Sequence, residues 1–203
     1  MIDSEVGREV LRALESRRSM ARVKPDRPPR ELVERIIDAA TWAPNHFKTV
    51  PWRFCVVSGN AREALGTVME ESLRNSRPPS DTDEVDGIDM EAVFQKERNK
   101  PLRAPVVIAV AAVPSQEPKV VEEEELAAVA AGVENMLLAA EAVGLGAMWR
   151  TGKPAYDPRV KEFLGFPAHA HIVAFIYLGY PDLPPQRARP RTAERHVRWL
   201  GWE

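Results

Sequence analysis

Three short clusters carry side chains suited to holding a ligand, an anion such as phosphate above all: Arg17-Arg18-Ser19, Asn45-His46-Phe47-Lys48 and Trp149-Arg150-Thr151. Arginine suits an anion because its planar fork donates to two oxygens of a phosphate at once. Side chains would have to do this work here. There is no P-loop and no Gly-x-Ser-x-Gly elbow. Gly144-Leu145-Gly146 lacks the third glycine of a dinucleotide fingerprint, and it follows a helix where that motif follows a strand. Taken alone, Arg17-Arg18 also suits a solvated helix end, where cations meet the negative end of the dipole. Metal chemistry has little support: four histidines are scattered, and His169-x-His171 lacks the i, i+4 spacing of a helical ligand pair. The single cysteine, Cys55, lies in an apolar run and reads as a core thiol, with no neighbour to lower its pKa.

The elements that must position these clusters follow from periodicity. Ser4 caps a first helix, whose apolar face is Val6, Val10, Ala13 and Leu14, and the cluster at 17–19 sits at its end. A second helix carries the buried stripe Leu32, Val33, Ile36, Ile37, Ala40 and Ala43, and Pro44 stops it. Pro44 and Pro51 then stiffen the loop that holds His46 and Lys48, which leads into a strand over 52–58. Further expectations are helices over 61–75 and 89–99, a buried strand from Val106 to Val113, and a long helix from Glu122 to Val143. The run Glu122-Glu123-Glu124-Glu125 is assigned to solvent and to the positive helix end, with no catalytic part. Trp149-Arg150-Thr151 belongs to a strand or loop after that helix, Asp157 caps a short helix, and the last strand runs from Ile172 to Leu178.

Helices and strands do not alternate regularly, so the expectation is an α+β fold in a single domain over 1–203. Residues 76–91, acidic and proline-containing, read as a flexible excursion, and 182–203 as a C-terminal arm with Arg187, Arg189 and Arg191 outside any assigned site. Hydrophobic residues at 44% suffice for a sizeable core. A net charge of −2 argues against nucleic acid as a partner, and no apolar run suits a membrane span. One cysteine and no leader pattern make a cytoplasmic location the expectation.

Arg17-Arg18-Ser19, the loop from Ala43-Pro44-Asn45-His46 to Pro51-Trp52, the segment Gly144–Gly152 and Leu178-Gly179-Tyr180-Pro181 together resemble the FMN-dependent nitroreductase family. The likeness is closest to its compact NAD(P)H nitroreductase subgroup, whose flavin-contacting motif reads Trp-Arg-Ser. It spans roughly residues 8–181 in order, and four such motifs in sequence are specific where each alone is weak. The resemblance implies a three-layer fold: a mixed, mainly antiparallel central sheet flanked by helices, in an intertwined homodimer with FMN at the interface. Arg17, Arg18, Ser19 and His46 would contact the flavin's phosphate or pyrimidine edge, and Trp149, Arg150 and Thr151 would approach from the other chain. Thr151 replaces the family's serine and keeps its hydroxyl, whereas Trp42 stands where close relatives carry an arginine. NAD(P)H and a small electron-poor acceptor, such as a nitroaromatic or quinone, would use the same flavin face in turn, with ping-pong kinetics. An arginine near the flavin would stabilise the charge of its reduced form, and Phe47 and the 76–91 stretch would wall the pocket.

Other readings compete. A protein of the same fold could bind or sequester flavin with little turnover, or run dehydrogenation or dehalogenation. A DNA-binding pair built from the first two helices is disfavoured, because the proline-rich turn between them exceeds the usual ~3–4 residues.

Overall fold

The computed structural model describes residues 4–76, 84–85, 88–184 and 193–202. Most of the expected excursion (77–83 and 86–87) and Arg187, Arg189 and Arg191 lie outside the described residues. The elements, in chain order, are α1 (Glu5–Ser16), α2 (Arg30–Ala40), β1 (Trp52–Ser58), α3 (Ala61–Asn75) and the short β2 (Glu84–Val85) and β3 (Ile88–Asp89). They continue with α4 (Met90–Arg98), β4 (Val106–Ala112), α5 (Glu122–Ala142), β5 (Gly146–Arg150), α6 (Pro158–Phe163) and β6 (His171–Gly179).

All seven residues of β4 are buried. A run of Val, Ile and Ala with no polar alternation fits a strand covered on both faces. The main sheet has the order β1-β4-β6-β5, and every pairing in it is antiparallel. This fits the expected mainly antiparallel sheet; among the described residues the parallel contribution is a single bridge, Ser19 to Ala147, outside the named strands.

Because side chains alternate along a strand, the sheet divides the core into two layers. Val106, Ile108 and Val110 join Ile176 and Leu178 on the face covered by α2 and α5. Val107, Ala109 and Ala111 join Phe175 and Tyr177 on the face covered by α3 and α6. The helix α5 is apolar nearly all round, as expected for a helix covered on several sides. It lies so close to α2 that a Cβ on Gly132 would sit 2.9 Å from the Ala40 carbonyl oxygen.

Helix α1 differs. Ser4 caps it through a 3.0 Å bond from the Gly7 amide, but none of its residues is buried. Val6, Val10, Leu11 and Leu14 are all largely exposed, so its apolar stripe is uncovered by the described residues. It is tied to α5 by Ser16 Oγ, which donates to Glu141 at 2.6 Å, and by the Arg17–Glu134 ion pair.

Asp157 shows what anchors the α6 layer. Its carboxylate accepts from the Arg159 side chain at 2.7 and 3.1 Å and from the Arg159 backbone N–H at 2.9 Å, capping α6. The Arg159 guanidinium, with help from the Ser72 hydroxyl, outweighs burial and lowers its pKa to about 2. A carboxylate depressed in the folded state stabilises fully above its unfolded value, and that contribution fades as pH falls toward the folded one. Asp157→Asn is therefore expected to remove roughly 2 kcal/mol of the wild-type loss in stability between pH ~4.5 and ~2. Urea unfolding across that range checks it; parallel pH profiles for the two proteins would refute it.

Candidate functional site

An open groove of about 490 Å³ runs between the loop after α2 and the outer face of α5, lined by Pro44, Asn45, His46, Glu124, Ala127, Ala128 and Ala131. Its volume lies in the range of small-molecule sites. The alanines give it a flat floor, since no long side chain stands above the helix backbone there. At one end, His46 Nδ1 lies 2.8 Å from Glu124 Oε2, and the imidazole stacks on Phe47 at 4.2 Å between ring centroids. Lys119 lies over the other part of this wall, 5.5 Å from the Phe47 ring centre.

Toward the other end, Arg17 Nε is 2.9 Å from Glu134 Oε1, and its side chain is 23% exposed. Positions 124, 127, 131 and 134 recur at three- and four-residue steps, so they share one face of α5. Glu124 and Glu134 are ten residues apart, which places the two ion pairs about 15 Å apart along the helix. Arg17 thus lies on the same face of α5 as the groove floor, one turn past its last lining residue, with the stacked His-Phe pair at the far end.

Arg18 has a different task. Its Nη1 donates to the carbonyls of Glu15 and Arg17 at 2.6 and 2.7 Å, satisfying acceptors left over at the end of α1. Ser19 is exposed and held in register by its bridge to Ala147, and the next amide, Met20, donates to the Ala147 carbonyl at 2.9 Å. Trp42 projects into solvent at 86% exposure and takes no part in the groove.

The third cluster lies elsewhere. Arg150 and Thr151 line a small cavity of about 30 Å³ with Met69, Glu97, Lys100, Phe175 and Tyr177. Met69, Phe175 and Tyr177 belong to the layer beneath α3 and α6, on the opposite side of the sheet from the groove. The Arg150 guanidinium sits 5.7 Å from the Tyr177 ring centre, and burial raises the Tyr177 hydroxyl to about 12, so it stays protonated. Glu97 is buried and paired with Lys100. Trp149, on the other strand face, donates from Nε1 to the Val173 carbonyl at 3.1 Å. One chain therefore brings Arg17, Ser19 and His46 to the α5 side but does not bring Arg150 and Thr151 to them. A larger cavity of about 550 Å³, between the start of α2 and β1, contains none of the candidate residues.

The acidic run at the start of α5 requires correction. Glu122 pairs with His171 and Glu124 with His46, and Glu125 is only 2% exposed. The signal was present in the phase of the helix: Glu125 falls in step with buried Val129, Gly132 and Met136. Nothing local in the chain points to Glu134, whose partner is remote in sequence, or to the contact of Lys119 with the Phe47 ring, made in addition to its local pair with Glu117. Cys55 is half-buried, and burial raises its pKa, which leaves it protonated and unreactive.

The antiparallel sheet sandwiched by helices, with a ligand-sized groove over α5, defines an α+β architecture. The family model described as "Nitroreductase family" matches residues 14–180, and the chain belongs to that family. It is 34% identical over 175 residues to YdjA of Escherichia coli (strain K12), provisionally named an NAD(P)H nitroreductase; the match covers 86% of this chain and 90% of YdjA. A second relative, from Thermus thermophilus, is named an NADH dehydrogenase and is 31% identical over 204 residues, covering 90% of this chain and 92% of its own. Among solved structures, the FMN-dependent nitroreductase NfnB of Mycobacterium smegmatis in complex with NADPH superposes with a TM-score of 0.73. It shares 20% identity, and the match covers 97% of this chain and 100% of that one. A Bacillus cereus nitroreductase-like protein gives 0.75 at 24% identity, covering 95% and 96%.

Proposed function

We propose that this chain is an FMN-dependent oxidoreductase that takes hydride from NAD(P)H and reduces electron-poor acceptors such as nitroaromatics or quinones, working as a homodimer. The observation that carries the reading is the division of the three clusters between the two sides of the sheet. A ligand touching both sets needs Arg17, Ser19 and His46 from one chain and Arg150 and Thr151 from another, with Trp149, next to Arg150 in the chain, approaching alongside them. The uncovered apolar stripe of α1, beside Arg17, supports a second copy in that place. The names of YdjA and NfnB support the chemistry.

The donor set fits FMN. Arg17 and the Ser19 hydroxyl suit the phosphate, the alanine floor of α5 accepts a flat ring system, and the His46–Phe47 stack walls the groove. When bound, FMN supplies the group that accepts hydride and passes electrons on. The protein's part is to bind and orient it, to exclude water above the Ala127–Ala131 floor, and to set positive charge near it. No acid–base pair is required of the side chains.

The purified protein is expected to be yellow and dimeric, to release FMN on denaturation, and to oxidise NAD(P)H when a nitroaromatic or quinone is added. A colourless protein that ignores added FMN would overturn the reading. Arg18→Ala is expected to weaken FMN retention and also to loosen the end of α1, given its two carbonyl contacts. Retention by absorbance and helicity by circular dichroism check this; unchanged retention removes Arg18 from the site.

A further inference from the structure

We propose that Glu125 is a positioning residue of this site, holding the 43–51 loop in the one shape that presents His46 and Phe47 to the groove; this rests on the flavin reading above. The carboxylate is buried, and three segments converge on it. Asn45 Nδ2 donates to Oε1 at 3.3 Å, the Thr49 hydroxyl donates to the same oxygen, and the Ser115 backbone N–H donates to Oε2 at 2.8 Å. Asn45 in turn folds the loop on itself, its Oδ1 accepting from the Val50 amide at 3.0 Å and lying 3.1 Å from the Thr49 hydroxyl.

The loop needs such a brace. Lys48 and Val50 have φ of +54° and +55°, the left-handed region that residues with a Cβ seldom occupy. Val50 is β-branched, which makes the conformation worse, and such a backbone persists only where its surroundings over-determine it. His46 and Phe47 lie on the arc that the Asn45–Val50 bond closes. Burial alone would push the Glu125 carboxyl up, yet the bonds from Thr49, Ser115 and Asn45 together hold it below the ordinary range, so it stays an all-acceptor group. Glutamine would turn one oxygen into a donor facing donors. Loss of the carboxylate would therefore free the loop while leaving both core layers in place.

The test uses the full chain with Glu125→Gln, Thr49→Val and Thr49→Ser, read two ways. FMN affinity is measured by titrating flavin-free protein, and loop order by the rate of tryptic cleavage after exposed Lys48 in the absence of FMN. Glu125→Gln and Thr49→Val are expected to weaken FMN binding about tenfold, the scale of one or two lost hydrogen bonds. They should also speed cleavage at Lys48 several-fold, with Thr49→Ser restoring both. Thr49→Val probes the same brace from the loop side if Glu125→Gln does not fold. Unchanged FMN affinity in the variants overturns the proposal, whether or not cleavage accelerates. A wild-type chain that takes up no FMN overturns the flavin reading instead, and cleavage at Lys48 then decides whether Glu125 holds the loop.

Discussion

Arg17→Ala is expected to raise the FMN dissociation constant by about 10- to 100-fold, the equivalent of the ~1.5–3 kcal/mol carried by a hydrogen bond to a charged group. Arg17 is better placed for this than Arg18. Arg18 spends Nη1 on two carbonyls of its own helix end, whereas Arg17 is steadied by Glu134 through Nε and keeps its terminal nitrogens for a ligand. That ion pair is partly exposed, so its loss should cost the flavin-free protein no more than about 1 kcal/mol. Arg17→Lys should recover only part of the affinity, because an ammonium cannot reproduce the two-pronged contact of a guanidinium. Titration of FMN into the flavin-free variants, alongside their melting temperatures, separates binding from folding. Equal affinities in wild type and Arg17→Ala would remove Arg17 from the phosphate site. A fall in stability as large as the fall in affinity would make its role structural.

Gly66→Ala is expected to cause the largest loss of stability from a single methyl group. A Cβ at Gly66 would lie 2.0 Å from the Arg98 carbonyl oxygen and 3.1 Å from its carbon. Both are backbone atoms at the end of α4, so no side chain can rotate away. Helix α3 would have to shift against α4, disturbing the buried Glu70, which binds Arg74 at 2.8 Å and Arg98 at 3.5 Å. Overpacking of this kind costs about 3 kcal/mol, more than the ~1 kcal/mol that alanine gains over glycine in a helix. For a chain of this size that lowers the melting temperature by roughly 10 °C. Gly59→Ala is the control: its φ of +57° strains an alanine, but nothing lies within 4 Å, so only about 1 kcal/mol is at stake. A Gly66→Ala protein that melts within a degree or two of wild type would show that the two helices are free to separate.

Much of this molecule was legible before folding because its signals are local. The Val106–Ala112 run, the stripe of α2, the cap at Asp157 and the breaks at Pro44 and Gly144 each depend on residues a few positions apart, and the observed boundaries fall within one to three residues of those expected. The motif order from Arg17 to Pro181 was equally plain, since it needs only spacing along the chain. Glu125 was missed because four like charges in a row invited one explanation for all of them, although helical phase separates the buried one from its neighbours.

What the chain alone determined, then, was which elements form, the family they belong to, and which residue types could hold a flavin. Tertiary structure decided where each of those side chains ends up. Arg150 and Trp149 are adjacent in sequence, but strand pleating sends them to opposite faces, and only the register of β5 against β6 says which face meets α5. Arg17 and His46 are far apart in sequence, yet a single helix brings both to one of its faces through Glu134 and Glu124. Local signals end where a contact depends on register and helix packing between distant segments, and those are set by burial summed over the whole sheet.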